Sequence, residues 1–153
     1  PLMGIATDDS HEYHGKAGSR PGRGWVMVRS QYLTPEHLIR AMKRGDFYAS
    51  SGVTLKDVKF NAKTKELKLD IAPQDNVTYQ TEFIATLKPD GDDDKERVGQ
   101  RVLSSNSLSP SYRMKGNELY VRAVVTSTKP HQDPSFEKQF QQAWTQPVGW
   151  END

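Results

Sequence analysis

Apolar residues change their spacing twice along this chain. Gly4-Ile5-Ala6-Thr7 is a short apolar run that reads as the tail of a buried strand, and Glu12 to Gly24, with four glycines and Pro21, reads as loop. Trp25-Val26-Met27-Val28 is apolar and β-prone, which predicts a further strand ending at Arg29-Ser30. Thr34-Pro35-Glu36 then opens a helix. Thr34 can cap free amides, Pro35 gives up no needed hydrogen bond at the first helical position, and Glu36 faces the positive end of the dipole. Leu38, Ile39, Ala41 and Met42 supply its apolar face, and Gly45 ends it after Lys43-Arg44. Phe47-Tyr48-Ala49 follows as a short extended piece.

From Val53 onward the period becomes two. Leu55, Asp57 and Lys59 alternate with Lys56, Val58 and Phe60; Asn61-Ala62-Lys63-Thr64 is a turn; Leu67, Leu69 and Ile71 share one face of the returning strand. Tyr79 to Leu87 predicts another strand, with an acidic turn at Asp90 to Asp94 and a partner over Arg97 to Ser104. Tyr112-Arg113-Met114 and Leu119 to Thr126, joined at Lys115-Gly116-Asn117, predict a further pair. Asp133-Pro134-Ser135 can start a helix carrying Phe136 and Phe140, before a closing strand at Ala143 to Val148. Strands at this spacing without crossover helices predict a mainly β fold, a small antiparallel β-sandwich over about residues 53–150, preceded by a strand, loop, strand and helix.

Composition narrows the partners. The 21 Lys and Arg balance 20 Asp and Glu at a net charge of +1, and the basic residues are scattered, so no nucleic-acid partner is predicted. No apolar run approaches the roughly 20 residues that span a bilayer, so no membrane partner is predicted either. Cysteine is absent, which excludes disulfides and thiolate ligands and leaves the compartment open.

The chemistry-bearing residues gather near the start. Asp9 and His11, two apart on a segment read as extended, point the same way and can reach one metal ion, with Asp8 orienting the imidazole; the alternative is a polar loop whose aspartates cap turns. His14 can fold back over the same pocket. Arg20 and Arg23 sit among glycines, where guanidinium groups and free amides can hold a phosphate, or where the glycines simply let the chain turn. Asp90 to Asp94 lacks the glycine placement and terminal glutamate of a calcium loop and reads as a solvated turn. His131 and His37 read as surface histidines, Trp25 and Trp144 as fillers of core or interdomain space, and Trp150 as uncommitted. No serine carries a triad signature, and no residue of the chain is assigned a catalytic role.

Several of these pieces share an order. Gly4-Ile5-Ala6-Thr7-Asp8-Asp9-Ser10-His11, a glycine-bearing gap, Gly24-Trp25-Val26-Met27-Val28, Leu33-Thr34-Pro35-Glu36 and Gly45-Asp46-Phe47-Tyr48-Ala49-Ser50-Ser51-Gly52-Val53 together resemble the last part of the PHP (polymerase and histidinol phosphatase) superfamily of metal-dependent phosphoesterases. The resemblance covers residues 4–53, and the β segment after it looks like the accessory domain that follows the barrel in some members. It implies a remnant of a β/α barrel over residues 1–52 and an accessory β-sandwich over 53–153. It further implies that Asp9 and His11 are metal ligands, with Asp8 supporting them, in a hydrolase where metal-activated water attacks a phosphate ester. The family's earlier His-x-His motif and other ligands have no match here. The expected partner is therefore the missing N-terminal barrel of the same polypeptide, with a divalent metal (Mn, Zn or Fe) in the full-length parent, none held tightly by this chain, and little activity from the chain alone. The competing reading is a carbohydrate-binding, protein-binding or structural β-sandwich. An exposed Trp150 or an uncovered cluster of Tyr79, Tyr112 and Tyr120 would favour binding, whereas aromatics buried between sheets would favour a structural role.

Overall fold

A computed structural model of the chain describes residues 2–15, 18, 20–89 and 97–150; the acidic turn expected at Asp90 to Asp94 lies outside them. The described residues form nine strands and one helix: β1 (Trp25–Val28), α1 (Pro35–Lys43), β2 (Phe47–Ser50), β3 (Leu55–Asn61), β4 (Glu66–Ile71), β5 (Tyr79–Leu87), β6 (Gln100–Ser105), β7 (Ser111–Arg113), β8 (Glu118–Pro130) and β9 (Phe140–Thr145). Six strands make one antiparallel sheet in the order β1-β2-β9-β8-β5-β6, and three make a second in the order β3-β4-β7. The fold is thus mainly β, a sandwich of two antiparallel sheets with an early strand-helix-strand segment, as the patterning predicts.

The period of two decides what lies between the sheets. Tyr79, Thr81, Phe83 and Ala85 of β5 pair with Ser127, Val125, Ala123 and Val121 of β8, and Ala143 of β9 lies opposite Val125; all are buried. Leu55, Leu67, Leu69, Ile71 and Tyr112 of the small sheet close over them, and the Phe83 and Tyr112 rings stack at 5.7 Å. Fully burying each such Leu or Phe contributes roughly 1.5–3 kcal/mol. β2 joins the same large sheet through Tyr48↔Thr145, Ala49↔Trp144 and Ser50↔Ala143, so strands on both sides of the boundary drawn at residue 52 share one sheet. Gly52 makes the passage from β2 to the small sheet at φ 140°, where a Cβ would sit 2.3 Å from the Gln141 side chain.

Local signals are realised where their partners are local. Thr34 caps α1 by accepting from the His37 amide, and the helix closes with the Gly45 amide donating to the Met42 carbonyl and the Asp46 amide to that of Ala41, Gly45 being left-handed at φ 78°. The Asn61 side chain accepts from the Lys63 and Thr64 amides at 3.0 and 3.2 Å and so shapes the β3–β4 turn.

Three expectations are corrected. Residues 4–7 form no strand, and Ile5 is 62% exposed. Residues 133–139 form bends rather than a helix, because β8 runs on to Pro130 and β9 begins at Phe140. Tyr112 and its neighbours do not pair with the following strand: β7 pairs with β4 through Glu66↔Arg113, Leu67↔Tyr112 and Lys68↔Ser111, whereas β8 lies in the other sheet.

The reason for the last correction is Glu118, only 4% exposed. Its carboxylate accepts from the Tyr112 hydroxyl at 2.5 Å and from the Lys115 and Gly116 amides at 2.9 and 3.0 Å, which turns the chain from one sheet to the other. Burial alone would raise its pKa, but these hydrogen bonds outweigh burial and hold the carboxyl below its ordinary value. Burial, then the bond to Glu118, pushes the Tyr112 hydroxyl up. A depressed folded-state pKa means that Glu118 contributes its stability above the unfolded-state value and loses it as pH falls through the folded one. Glu118→Gln should therefore lower unfolding stability by about 1–3 kcal/mol at neutral pH. In urea titrations at stepped pH, wild type should lose its advantage over the variant progressively below pH 4.5; equal stabilities at pH 7 would contradict this account.

Candidate functional site

The segment before β1 is held by polar anchors rather than by strand pairing. The Gly4 amide donates to Gln146 Oε1 at 2.9 Å, and Gln146 Nε2 returns a bond to the Gly4 carbonyl at 2.8 Å, just beyond the end of β9. Four residues on, Asp8 Oδ1 accepts from the Arg23 and Gly24 amides at 2.6 and 2.8 Å, and Oδ2 from the Gly22 amide at 2.9 Å. These backbone bonds, led by those of Gly24 and Gly22, hold the Asp8 carboxyl below the usual aspartate value. Asp8 therefore fixes the glycine-rich loop and does not orient His11, and the amides expected to hold a phosphate are occupied by this carboxylate.

Asp9 follows at φ 48°, so the segment is not extended where the two-residue spacing assumes that it is. The Asp9 and His11 side chains are 84% and 73% exposed, with Asp9 Oδ1 3.7 Å from His11 Nδ1. His11 Nδ1 lies 2.7 Å from the Asp9 carbonyl. A carbonyl only accepts, so Nδ1 carries the proton and Nε2 keeps the lone pair in the neutral ring. A carboxylate and an imidazole suit Mn, Zn or Fe, but two donors are fewer than the three or four protein ligands of usual sites. Among the described residues no group of three or more His, Asp or Glu side chains could hold a metal ion. His14 stands at φ 60° in the following turn and is exposed.

Across a cleft of about 880 Å³, the second half of the chain supplies the facing wall. Arg20 is bidentate to Asp133, Nε to Oδ2 at 3.1 Å and Nη2 to Oδ1 at 2.7 Å. Arg23 Nε reaches the Asp133 carbonyl at 3.3 Å, and its Nη2 donates to Ser135 Oγ. His131, expected at the surface, is buried. Its Nδ1 accepts from the Asp133 amide at 3.1 Å, so Nε2 carries the proton and donates to the Arg23 carbonyl at 2.9 Å. The arginines thus clamp the 131–135 loop to the glycine-rich loop. Partners separated by more than 100 residues leave no mark in sequence spacing, which is why Asp133, His131 and Gln146 escape a reading of the chain alone.

The aromatic residues divide. Tyr79 and Tyr112 are buried between the sheets, which favours a structural role, while Trp150 is 39% exposed, which favours binding. Trp25, expected to fill core or interdomain space, lies outside the core and is 38% exposed on β1. Trp144 lies on the outer face of the large sheet, where it, Ala49, Tyr120 and Pro147 line a largely apolar groove of about 670 Å³ with Leu2 and Ile5.

Asp8→Ala should detach the glycine-rich loop without unfolding the sandwich: the Gly22, Arg23 and Gly24 amides should exchange with solvent at least about tenfold faster, while core amides of β5 and β8 keep their protection. In wild type those three amide resonances should titrate together, with a midpoint below the ordinary aspartate value of 3.8; independent titration would show that they do not share this acceptor. Comparisons with protein-family models, curated proteins and solved structures find no match to this chain.

Proposed function

We propose that the chain is a structural, protein-binding β-sandwich whose large sheet braces a neighbouring folded body. The observation that carries this reading is the non-regular segment 2–8, anchored at Gly4 by Gln146 and at Asp8 by three amides, beside the open apolar groove around Trp144. A largely apolar groove suits a protein surface better than a sugar, and with Tyr79 and Tyr112 buried the tyrosines form no stacking platform. The body proposed to be braced is the β/α barrel that the resemblance implies, in the same polypeptide.

A second reading is favoured by the His11 tautomer. With Nδ1 committed to a carbonyl, Nε2 is left to coordinate, as metal-ligating imidazoles are commonly arranged. Asp9 and His11 would then contribute two ligands to a divalent-metal phosphoesterase whose other ligands come from that barrel. The metal would supply an activated water and neutralise phosphoryl charge. Within this chain, Asp8 sets the path of the backbone that carries both residues.

Both readings expect the isolated chain to be folded and inert. Isothermal titration with Mn and Zn should give only weak binding that Asp9→Asn with His11→Ala removes, and p-nitrophenyl phosphate should not turn over with Mn, Zn or Mg. Tight stoichiometric metal, or turnover lost in that double variant, would overturn the bracing role and place an enzyme in this chain.

A further inference from the structure

β1 is built as an interior strand but stands at an edge. Its four residues, Trp25-Val26-Met27-Val28, are all apolar, the pattern of a strand covered on both faces. In the sheet it has one neighbour, β2, and the burial pattern leaves every one of the four at least partly exposed. Natural edge strands are usually blunted by charge, proline or a bulge, and this one carries none within its span. Pairing to β2 places Trp25 and Met27 on the same face as Ser50 and Tyr48, the inner face, yet Trp25 is 38% and Met27 41% exposed. The inner face there is open: Met27 looks across to β3 over a cavity of about 540 Å³ that neither sheet fills.

The free backbone groups of β1 can be identified. The Arg29 amide donates to the Asp46 carbonyl at 2.8 Å, in line with the register Val28↔Phe47 and Met27↔Tyr48. Antiparallel ladders alternate, so Trp25, Met27 and Arg29 turn their N–H and C=O groups toward β2, and Val26 and Val28 turn theirs to the open edge.

We propose that β1 pairs with β1 of a second copy of this chain about a two-fold axis, joining the two large sheets into one. Only registers that set outward-turned residues opposite one another can form this ladder. Centring on Met27 opposite its symmetry mate places Val26 opposite the second copy's Val28 and uses all four groups of each pair of valines in four inter-chain hydrogen bonds. The same register sets Trp25 opposite Arg29 on the inner face, an arrangement suited to a cation–π contact. Arg29 is directed toward that face by its bond to Asp57 on β3. Centring on Val26 instead would oppose Arg23 to Arg29, like charges facing one another, and would require the Gly24 amide already held by Asp8. The sequence around β1 therefore favours the register centred on Met27 over that centred on Val26, and this contact is separate from the groove around Trp144.

Sedimentation velocity and light scattering over a range of loading concentrations test it. Wild type should approach twice the chain mass of 17.3 kDa as concentration rises. Met27→Lys, which sets two ammonium groups opposite one another at the axis, should weaken the dimer by at least about tenfold. Val26→Pro removes an amide that no strand of the chain uses, so it should also give a monomer while far-UV circular dichroism stays that of wild type. A wild type that remains monomeric at the highest concentration, or a dimer that survives both folded variants unchanged, would overturn self-pairing through β1. Neither result would bear on the bracing role, which is read from metal binding and turnover.

Discussion

The architecture follows from an inequality: a sheet of six strands is covered on its inner face by a sheet of three. Opposite β3, β4 and β7 the two faces exclude water and the core is continuous, from Leu67 and Leu69 through Phe83 to Val121 and Val125. Beyond that overlap the large sheet must find other cover, because an apolar strand face left in water forfeits the burial that stabilises it. At β2, Tyr48 meets this need by turning inward to accept the Leu55 amide at 2.9 Å on its hydroxyl. At β1 no such bond is present among the described residues, and Trp25 and Met27 stay 38% and 41% exposed.

The outer face of the same sheet is served differently. Alternation places Val26, Ala49, Trp144 and Val124 in one row there, too apolar for an open surface. Helix α1 lies against β1, and residues 2–8 run beside the Trp144 end. Residues 2–8 are not secured by their own apolar area, Leu2 and Ile5 being 94% and 62% exposed. The reciprocal pair between Gly4 and Gln146 and the three amides on Asp8 do so instead, while the Arg20–Asp133 clamp holds the glycine-rich loop to the 131–135 loop; a hydrogen bond to a charged acceptor stabilises most where it is shielded from water. Most of these groups are partly hydrated and count for less. The segment is therefore positioned by a few specific contacts at its two ends, Gly4 and Asp8.

Legibility in the sequence tracks the distance between partners. Thr34, Pro35 and Gly45 announce α1 because capping partners lie within four residues, and Asn61 announces the β3–β4 turn for the same reason. Lys115-Gly116-Asn117 has the composition of a hairpin turn and was misleading: the buried Glu118 carboxylate gathers the amides of that turn and sends the flanking strands to different sheets. Asp133-Pro134-Ser135 has the composition of a helix start, yet Asp133 is engaged by Arg20 and cannot serve as a cap. Of the candidate site, Asp8, Asp9 and His11 could be named in advance, but their division of labour could not. It depends on Gly22, Arg23 and Gly24, a loop whose fold cannot be inferred from spacing.

Asp9 brings these strands of argument together. A left-handed backbone costs a residue with a side chain roughly 1 kcal/mol, less for aspartate than for most, and persists only where its surroundings over-determine it. Both neighbours do so here. Asp8 is fixed by three amides on one side, and His11 Nδ1 binds the Asp9 carbonyl on the other. Among the described residues the Asp9 side chain makes only a distant approach to His11, so the backbone bonds on either side, not the side chain, hold this path. The backbone path places a carboxylate and the imidazole Nε2 at an exposed rim, with Nδ1 committed to the Asp9 carbonyl. On the proposed reading in which Asp9 and His11 are two ligands of a larger metal site, that arrangement would present both donors outward, and the sandwich would supply the rigid base they need.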